Sequence, residues 1–499
     1  MTIETLDVLV VGAGISGIDA GYHLRTYCPG KTYAILEGRD DLGGTWDLFR
    51  YPGIRSDSDM HTLGFSFRPW KEAKAIADGP SIKKYLRDTA RDYGIDKHIR
   101  YQHRVVRAAW DSQTARWTVE AERGPEREPV TFSARFLFMC SGYYRYDEGF
   151  TPAFEGRDDF EGQIVHPQHW PENLDYKGKR VIVIGSGATA VTLVPEMAKE
   201  AAQVTMLQRS PTYMVSRPSE DKIANGLRKF LPSRIAYGIT RWKNVLFGMY
   251  FYNKTRTNPE GVNQFVLGKV KELLPAGYDM THFTPSYNVW DQRLCLVPDD
   301  DLFGAIKNGS ADVVTGQIDR FTKKGIRLKD GQELEADIIV TATGLNVQLL
   351  SGVQFSVDGA PVELAKTITY KAMMFSGVPN LATSFGYTNA SWTLKADLTC
   401  MYVARLLNHM DRTGTQIATP VLDDPEVRAE PWLSFSSGYV QRALATLPRQ
   451  GSKRPWRVHQ NYALDMLDLK FGKVEDGAMR FTKAGATKSA PEPMLEAAE

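Results

Sequence analysis

The sequence predicts an α/β fold with two doubly wound parallel sheets and a helical insertion, and three observations support this. Near the N-terminus a buried strand, a glycine-rich turn and a helix follow one another, with the glycines starting at Gly12. The same order returns from Gly185. Between residues 216 and 293, Lys, Arg and aromatic residues mix with Leu and Ile, and this pattern is typical of helices. Apolar strand patterns resume after residue 310, so the second sheet is expected to continue beyond the insertion.

Length and charge exclude several functional classes. The chain has 499 residues, enough for about two to four domains. Its 61 basic and 59 acidic residues nearly balance, which gives no indication of nucleic-acid binding. Without a long apolar run or a leader-like N-terminus, we expect no transmembrane segment and a cytoplasmic location. The four cysteines are far apart and are expected to be reduced and mostly buried: Cys28, Cys140, Cys295 and Cys400.

The first glycine-rich turn, Gly12-Ala13-Gly14-Ile15-Ser16-Gly17, predicts a Rossmann-like dinucleotide site. Gly12 allows the tight turn, Gly14 lets the backbone approach a pyrophosphate, and Gly17 lets the helix pack on the strand. The helix N-terminus then presents unpaired N–H groups to the phosphates. Glu37 ends the next strand, where a carboxylate accepts hydrogen bonds from a ribose diol. A glycine turn alone is weak evidence, but strand, helix and acid together favour dinucleotide binding.

The second turn reads Gly185-Ser186-Gly187-Ala188-Thr189-Ala190, with alanine at the third small position. The strand that follows ends in Gln208 and Arg209 instead of an acid. A carboxylate would repel a 2′-phosphate, whereas a guanidinium pairs with one. The second site is therefore expected to prefer NADPH to NADH. The alternative is that Arg209 is only a solvated surface charge.

Two dinucleotide sites in one chain suggest a flavoprotein that a nicotinamide cofactor reduces. Disulfide reductases share this organisation but need a redox-active cysteine pair, and the sequence has no C-x-x-C motif. The electrons must therefore pass to another acceptor, and a third motif indicates which.

The third motif, Phe160-x-Gly162-x-x-x-His166-x-x-x-Trp170-Pro171, lies just before the second glycine turn. It resembles the fingerprint of Baeyer–Villiger monooxygenases, which belong to the class B flavoprotein monooxygenases. Relatives that hydroxylate nitrogen or oxidise heteroatoms usually have an aromatic–lysine pair in place of Trp170-Pro171. In the family His166 is implied to position a linker and not to transfer a proton.

A fourth motif, Gly43-Gly44-Thr45-Trp46 followed by Tyr51-Pro52-Gly53 and Asp57, is similar to the family's second fingerprint. Stretches such as 45–70 and 290–298 resemble the subgroup that includes the mycobacterial ethionamide-activating monooxygenase. The resemblance covers nearly the whole chain apart from its tail.

The resemblance implies bound FAD, NADPH and O₂ as co-substrates, and oxygen insertion beside the carbonyl of apolar ketones through a C4a-peroxyflavin, giving esters or lactones. The residues implied at FAD include the first glycine turn and its surroundings: Gly12, Gly14, Ser16, Gly17, Glu37, Gly44, Thr45, Trp46, Asp57 and Val105. Those implied at NADPH include the second turn: Arg55, Ser56, Gly185, Ser186, Gly187, Ala188, Thr189, Ala190, Gln208 and Arg209.

Arg293 matches the family's active-site arginine, and Asp57 is expected to orient it. Because a guanidinium stays protonated, Arg293 can stabilise an anionic reduced flavin and the oxyanion formed at a ketone. A plain salt bridge between Arg293 and Asp57 is the alternative. Many relatives have lysine directly before this arginine; here Gln292 removes one contact to the nicotinamide cofactor and leaves the strength of the NADPH preference open.

The substrate is not identified by these motifs. The same flavin chemistry serves ketones and heteroatoms, so a sulfur or nitrogen oxygenase is the alternative function, and a flavin-binding regulator is a third. Trp242, Phe247, Tyr250 and Tyr252 in the insertion suggest a pocket for an apolar ketone or thioether. The apolar cluster at 246–252 favours a buried helix near a pocket over membrane contact. The oligomeric state stays open.

The order of elements also predicts the domain boundaries. They are an FAD-binding domain at 1–149 and 376–499, an NADPH-binding domain at 150–215 and 294–375, and the helical insertion at 216–293. The strand at 336–341 should then lie in the second sheet. The segment 483–499, rich in Ala, Pro and Glu, is expected to be a loose tail.

Overall fold

A computed structural model describes residues 3–292, 294–433 and 436–485. Arg293 and most of the predicted tail lie outside the described residues. In the part that is described, no helix combines the length and apolar character needed to cross a membrane. All four cysteines are buried and none forms a disulfide within the described residues, as expected.

The elements up to residue 149 begin with the predicted strand–turn–helix–strand unit. In chain order they are β1 (Glu4–Val11), α1 (Ile15–Tyr27), β2 (Tyr33–Leu36), α2 (Thr45–Leu48), α3 (Met60–Leu63), α4 (Gly79–Asp92), β3 (Ile99–Arg100), β4 (His103–Asp111), β5 (Arg116–Arg123), β6 (Glu128–Met139) and β7 (Tyr144–Gly149).

The elements from 150 to 353 contain the second such unit and the insertion. They are β8 (Gln163–Val165), β9 (Arg180–Ile184), α5 (Ala188–Met197), β10 (Gln203–Gln208), β11 (Met214–Arg217), α6 (Lys222–Phe230), α7 (Ser233–Thr257), α8 (Pro259–Leu273), β12 (Cys295–Pro298), α9 (Asp301–Lys307), β13 (Ala311–Thr315), β14 (Ile318–Thr322), β15 (Gly325–Leu328), β16 (Glu333–Glu335), β17 (Ile338–Thr341) and β18 (Leu345–Val347).

The remaining elements return to the first sheet and cover it. They are β19 (Gln354–Val357), β20 (Ala360–Pro361), β21 (Thr369–Tyr370), β22 (Met374–Phe375), β23 (Leu381–Thr383), α10 (Trp392–Thr413), β24 (Ile417–Pro420), β25 (Ala429–Pro431), α11 (Gly438–Ala443), β26 (Arg449–Gly451), α12 (Tyr462–Met466) and β27 (Met479–Thr482).

The first sheet has the strand order β20-β19-β4-β5-β6-β1-β2-β3, and β23 pairs with β6. Strand β1 runs parallel to both β2 and β6, so its apolar run Val8–Val11 is buried on both faces. The second sheet has the order β13-β10-β9-β17-β8 and is parallel throughout. Strand β17 thus lies in the second sheet, as the predicted division requires.

One predicted boundary is wrong. Strands β19 and β20 fall within 294–375, the range predicted for the second domain, yet β19 pairs in parallel with β4 of the first sheet. The reason is burial: Phe355 packs edge-on against Trp117, with ring centroids 6.1 Å apart, in the core under the first sheet. The chain therefore returns to the first sheet before residue 376.

Two linkers connect the sheets and lie side by side. Strand β7 leads towards the second sheet, β18 leads back, and the two form an antiparallel pair. His166 packs against this pair at Gly149, where a Cβ would lie only 1.9 Å from the imidazole Cε1. The fingerprint histidine thus contacts a linker.

The insertion consists of α6, α7 and α8, and β11 and β12 pair at its two ends. The interpretation of 246–252 as a buried helix is wrong. Leu246, Phe247 and Tyr250 of α7 are 59%, 54% and 61% exposed. Composition shows that a helix is apolar but not whether another element covers it.

A buried polar cluster joins α1 to α10. The His23 Nε2 lies 3.0 Å from Asp397 Oδ1 and 3.5 Å from Asp19 Oδ1. Burial opposes protonation of His23, but its hydrogen bonds to the two carboxyl groups outweigh burial and raise its pKa to about 9. Burial raises the pKa of Asp19 to about 7. The folded protein therefore holds protons here that the unfolded chain releases.

We predict that this cluster loses stability as the pH rises. Both pKa values lie above their unfolded values, so the contribution of His23 is complete below pH 6.5 and disappears as the pH passes about 9. We compare the unfolding free energy of the wild-type protein with that of His23→Gln. Over this interval, the wild-type value should fall by on the order of 1–3 kcal/mol more than that of the variant. Unfolding of both proteins at matched pH values measures the difference between their unfolding free energies. A difference that does not change with pH would contradict the raised pKa of His23.

Candidate active site

A cavity of about 550 Å³ lies between the two glycine-rich turns. Its walls come from both parts of the fold: the first turn, the end of β2, the turn into α2, residues 54–58, and the start of α5. It gathers most of the predicted FAD residues and several of those predicted for NADPH: Gly12, Gly14, Ser16, Glu37, Gly44, Thr45, Trp46, Arg55, Ser56, Asp57, Val105, Ala188 and Thr189.

The first glycine turn leaves no room for side chains at the positions where other backbone atoms lie close to it. Gly12 has φ +102°, and a Cβ there would lie 2.6 Å from the carbonyl oxygen of Cys140. A Cβ on Gly17 would lie 1.8 Å from the carbonyl oxygen of Gly12, so Gly17 serves packing and not the cavity. Gly14 lines the cavity, and among the described residues outside its own turn only the backbone of Gly44 comes within 4 Å of its Cβ position. A ligand can therefore approach the backbone at Gly14.

The second turn repeats this arrangement. Gly185 has φ +138°, and a Cβ there would lie 2.4 Å from the carbonyl oxygen of Ala342, next to β17. Among the described residues, no atom other than those of its chain neighbours lies within 4 Å of the Cβ position of Gly187, which precedes the first residue of α5. Gly185 and the fully buried Ala190 are packing positions, whereas Gly187 leaves backbone accessible.

Glu37 is fixed by two backbone N–H groups. Its Oε2 accepts from the Ala13 amide at 2.8 Å and its Oε1 from the Arg39 amide at 2.9 Å. The side chain is buried, and this burial raises its pKa despite both hydrogen bonds. Because a carboxylate has about four acceptor positions, Glu37 keeps capacity for further donors on the cavity wall.

Sequence reasoning missed Trp392, which holds Ser16, and Tyr143, which packs on Trp392. The Trp392 Nε1 donates to Ser16 Oγ at 2.8 Å, and Ser384 Oγ lies 3.1 Å from the same atom. The Tyr143 ring stacks on Trp392 with centroids 5.3 Å apart. Both rings line the cavity. Trp392 lies far from Ser16 in sequence, so no local pattern indicates the contact.

Residues 55–57 connect the cavity to the second sheet. Arg55 forms an ion pair with Asp301 in the first turn of α9. The Ser56 hydroxyl closes a local turn with Ser58, donating to its carbonyl and accepting from its amide. Asp57 is exposed and lines the cavity. Arg55 is thus available to a cofactor only if it shares or releases Asp301.

The end of β10 separates its two predicted NADPH residues. Arg209 is exposed directly after the strand. Gln208 is 1% exposed, and its Nε2 donates to the His282 carbonyl and to Thr315 Oγ1. The structure therefore does not bring the Gln208 side chain to the cavity. Ser186 Oγ donates to the Ser210 carbonyl at 3.1 Å, which ties the second turn to the segment after Arg209.

Residues 289–291 are strained and anchored. Trp290 has a φ of +70°, a conformation rare for a large residue. Arg256 of α7 pairs with Asp291 at 2.9 Å and donates to the Val289 carbonyl at 2.7 Å. The predicted aromatic pocket is not here, since the described lining of the 550 Å³ cavity lacks Trp242, Phe247, Tyr250 and Tyr252.

Residues 6–376 match the family described as flavin-binding monooxygenase-like, and the chain belongs to that family. The resemblance to class B flavoprotein monooxygenases is thereby confirmed. FAD-containing monooxygenase EthA of Mycobacterium tuberculosis is 54% identical over 485 residues, covering 97% of this chain and 99% of that protein. Probable FAD-binding monooxygenase AlmA of Acinetobacter baylyi is 48% identical over 480 residues, 96% of each chain.

Solved structures share the fold. An oxidized steroid monooxygenase bound to NADP aligns with a TM-score of 0.76 at 23% identity, over 96% of this chain and 100% of that one. A cyclohexanone monooxygenase with ε-caprolactone bound also aligns with a TM-score of 0.76, at 20% identity and the same coverage. The predicted architecture of two Rossmann-like domains is confirmed.

We predict that Glu37→Ala weakens FAD binding without unfolding the protein. The substitution removes a buried, fixed carboxylate from the cavity wall. Loss of hydrogen bonds to a charged group should raise the Kd about ten- to hundredfold. Titration of deflavinated protein with FAD, followed by flavin fluorescence, measures this. Glu120→Ala, at an exposed carboxylate of β5, is the control, and equal affinities for both variants would contradict the role.

Proposed function

We propose that this chain is an FAD-containing, NADPH- and O₂-dependent Baeyer–Villiger monooxygenase that converts apolar ketones into esters or lactones. One observation supports it most: a single cavity reaches from the first glycine turn and Glu37 to the start of α5 at the second turn. Two cofactors bound at these turns would meet within it. The Trp170-Pro171 ending of the fingerprint favours an enzyme that oxidises ketones over one that oxidises heteroatoms.

The residues of the cavity fit FAD. Gly14 leaves backbone open where a pyrophosphate would lie, and α1 begins directly beyond it. Glu37 has acceptor capacity for a ribose diol. The Tyr143 and Trp392 rings add an apolar wall of a kind that suits a flavin ring. When bound, FAD would accept a hydride from NADPH and activate O₂ for transfer of one oxygen atom to the substrate.

The chain's own groups would bind, orient and exclude water. The N–H groups at the start of α1 would bind phosphate, and Glu37 would orient the ribose. Trp392 fixes Ser16 in the first turn of α1. Tyr51 and Tyr146 line the cavity and burial raises both phenol pKa values, so they stay neutral at physiological pH. These neutral walls would limit water around the reacting groups.

Arg293 is proposed as the catalytic residue. Its guanidinium would stabilise negative charge on the reduced cofactor and on the oxygen of the attacked carbonyl. Asp57, which lines the cavity, would orient it. The strained Trp290 and the Arg256–Asp291 pair would fix the segment directly before Arg293 in sequence.

We predict that Arg293→Ala still binds FAD but loses product formation by about 10²–10³-fold, because an oxyanion loses a fixed donor. Arg293→Lys should restore little, since an ammonium lacks the planar fork. The assay follows ester or lactone per NADPH consumed for linear, cyclic and aryl ketones, with thioethers in parallel. Wild-type yield in Arg293→Ala would contradict the role. Exclusive sulfoxide formation by the wild type would replace the proposed reaction with heteroatom oxygenation.

Arg209 is expected to recognise the 2′-phosphate. Arg209→Ala should raise the KM for NADPH about ten- to hundredfold and leave that for NADH nearly unchanged, because only NADPH carries the phosphate. Steady-state kinetics with both nucleotides measure the difference. Equal effects on both would show that Arg209 does not read the phosphate.

A further inference from the structure

Helix α7 exposes a stripe of large apolar side chains. Ile235, Ile239, Trp242, Leu246 and Tyr250 are spaced by three or four residues, so they lie on one face of the helix. Each is between 41% and 61% exposed. A continuous exposed stripe of large apolar side chains is typical of surfaces that contact another protein or a membrane.

The stripe continues onto neighbouring segments. Phe230, the last residue of α6, is 86% exposed just before α7 begins. The Trp242 ring lies 5.8 Å from that of Tyr462, the first residue of α12. The segment that starts there adds three exposed apolar residues: Leu464, Leu467 and Phe471.

Positive charge is concentrated around the same stripe. Residues 222–257 contain eight Lys and Arg and no Asp or Glu, although basic and acidic residues nearly balance in the whole chain. Several of these cations are exposed, on α6 and at both ends of α7: Lys222, Lys229, Arg234 and Lys254. A protein partner would have to be both apolar and strongly acidic to match this surface. An anionic lipid surface has both properties.

We propose that this face docks onto an anionic phospholipid bilayer. The apolar stripe would enter the boundary between headgroups and acyl chains, with the basic side chains at the level of the phosphates. Trp242 and Tyr250 are of the type enriched at this boundary. Because α7 does not qualify as a membrane span, the helix would lie in the interface plane. Docking does not depend on the proposed oxygenation.

The test is flotation of the FAD-loaded enzyme with phosphatidylcholine vesicles that contain or lack phosphatidylglycerol. We expect binding to the anionic vesicles, reduced by salt. Leu246→Glu should lower the partition coefficient at least about tenfold, because an exposed leucine that would enter the bilayer is replaced by a charge. Ile3→Glu, at an apolar residue 53% exposed elsewhere, should bind as the wild type does. Lys229→Glu and Lys254→Glu should each cost about fivefold, and Lys324→Glu on the second domain should not.

Three results would overturn the proposal. The first is absence of binding to anionic vesicles, or equal binding by Leu246→Glu and Ile3→Glu. The second is a dimer that Leu246→Glu converts to a monomer without any wild-type vesicle binding, which would assign the face to self-association. The third is tighter binding to a DNA duplex than to anionic vesicles. Flavin absorbance and the basal rate of NADPH oxidation, unchanged in every variant, show that folding is intact.

Discussion

Each glycine turn is confined by the backbone of an adjacent strand end. Gly12 lies against the carbonyl of Cys140, and Gly185 lies against that of Ala342. A side chain at either position would strike a peptide group that is part of a sheet and cannot move away. This constraint orients α1 and α5 so that their N-termini border one cavity. The positions of Glu37 and Ser16 follow from it.

Long-range contacts then set how the two parts of the fold meet. The paired linkers β7 and β18 cross between the sheets together, and His166 packs on one of them at Gly149. Arg55, which lines the cavity, adds an ion pair to Asp301 of α9. These contacts give His166 of the fingerprint a structural role at the linker. A cofactor that competes for Arg55 would also act on the relative placement of the two sheets.

Local patterns predicted the two strand–turn–helix–strand units and the position of Glu37 directly after β2, because each depends on residues close in sequence. They could not show that the Gln208 side chain turns inward, because His282 and Thr315, which bind it, come from distant segments. Trp392 was missed for the same reason. Strand β19 pairs in the first sheet because Phe355 packs in the core under that sheet. The exposure of α7 depends on which elements cover it, and composition alone carries no such information.

The two proposals concern separate faces of the molecule. The cavity would be the place of oxygen transfer, and the α7 face would bring the enzyme to a phase in which apolar compounds concentrate. The central claim is that O₂ supplies an oxygen atom at this cavity at the expense of NADPH. Its most direct test is turnover of a ketone by the FAD-loaded enzyme under ¹⁸O₂, with product analysed by mass spectrometry. We expect one labelled oxygen atom in each ester or lactone formed, and one such product molecule for each NADPH consumed. Unlabelled product, or hydrogen peroxide as the only product for every ketone and thioether supplied, would contradict it.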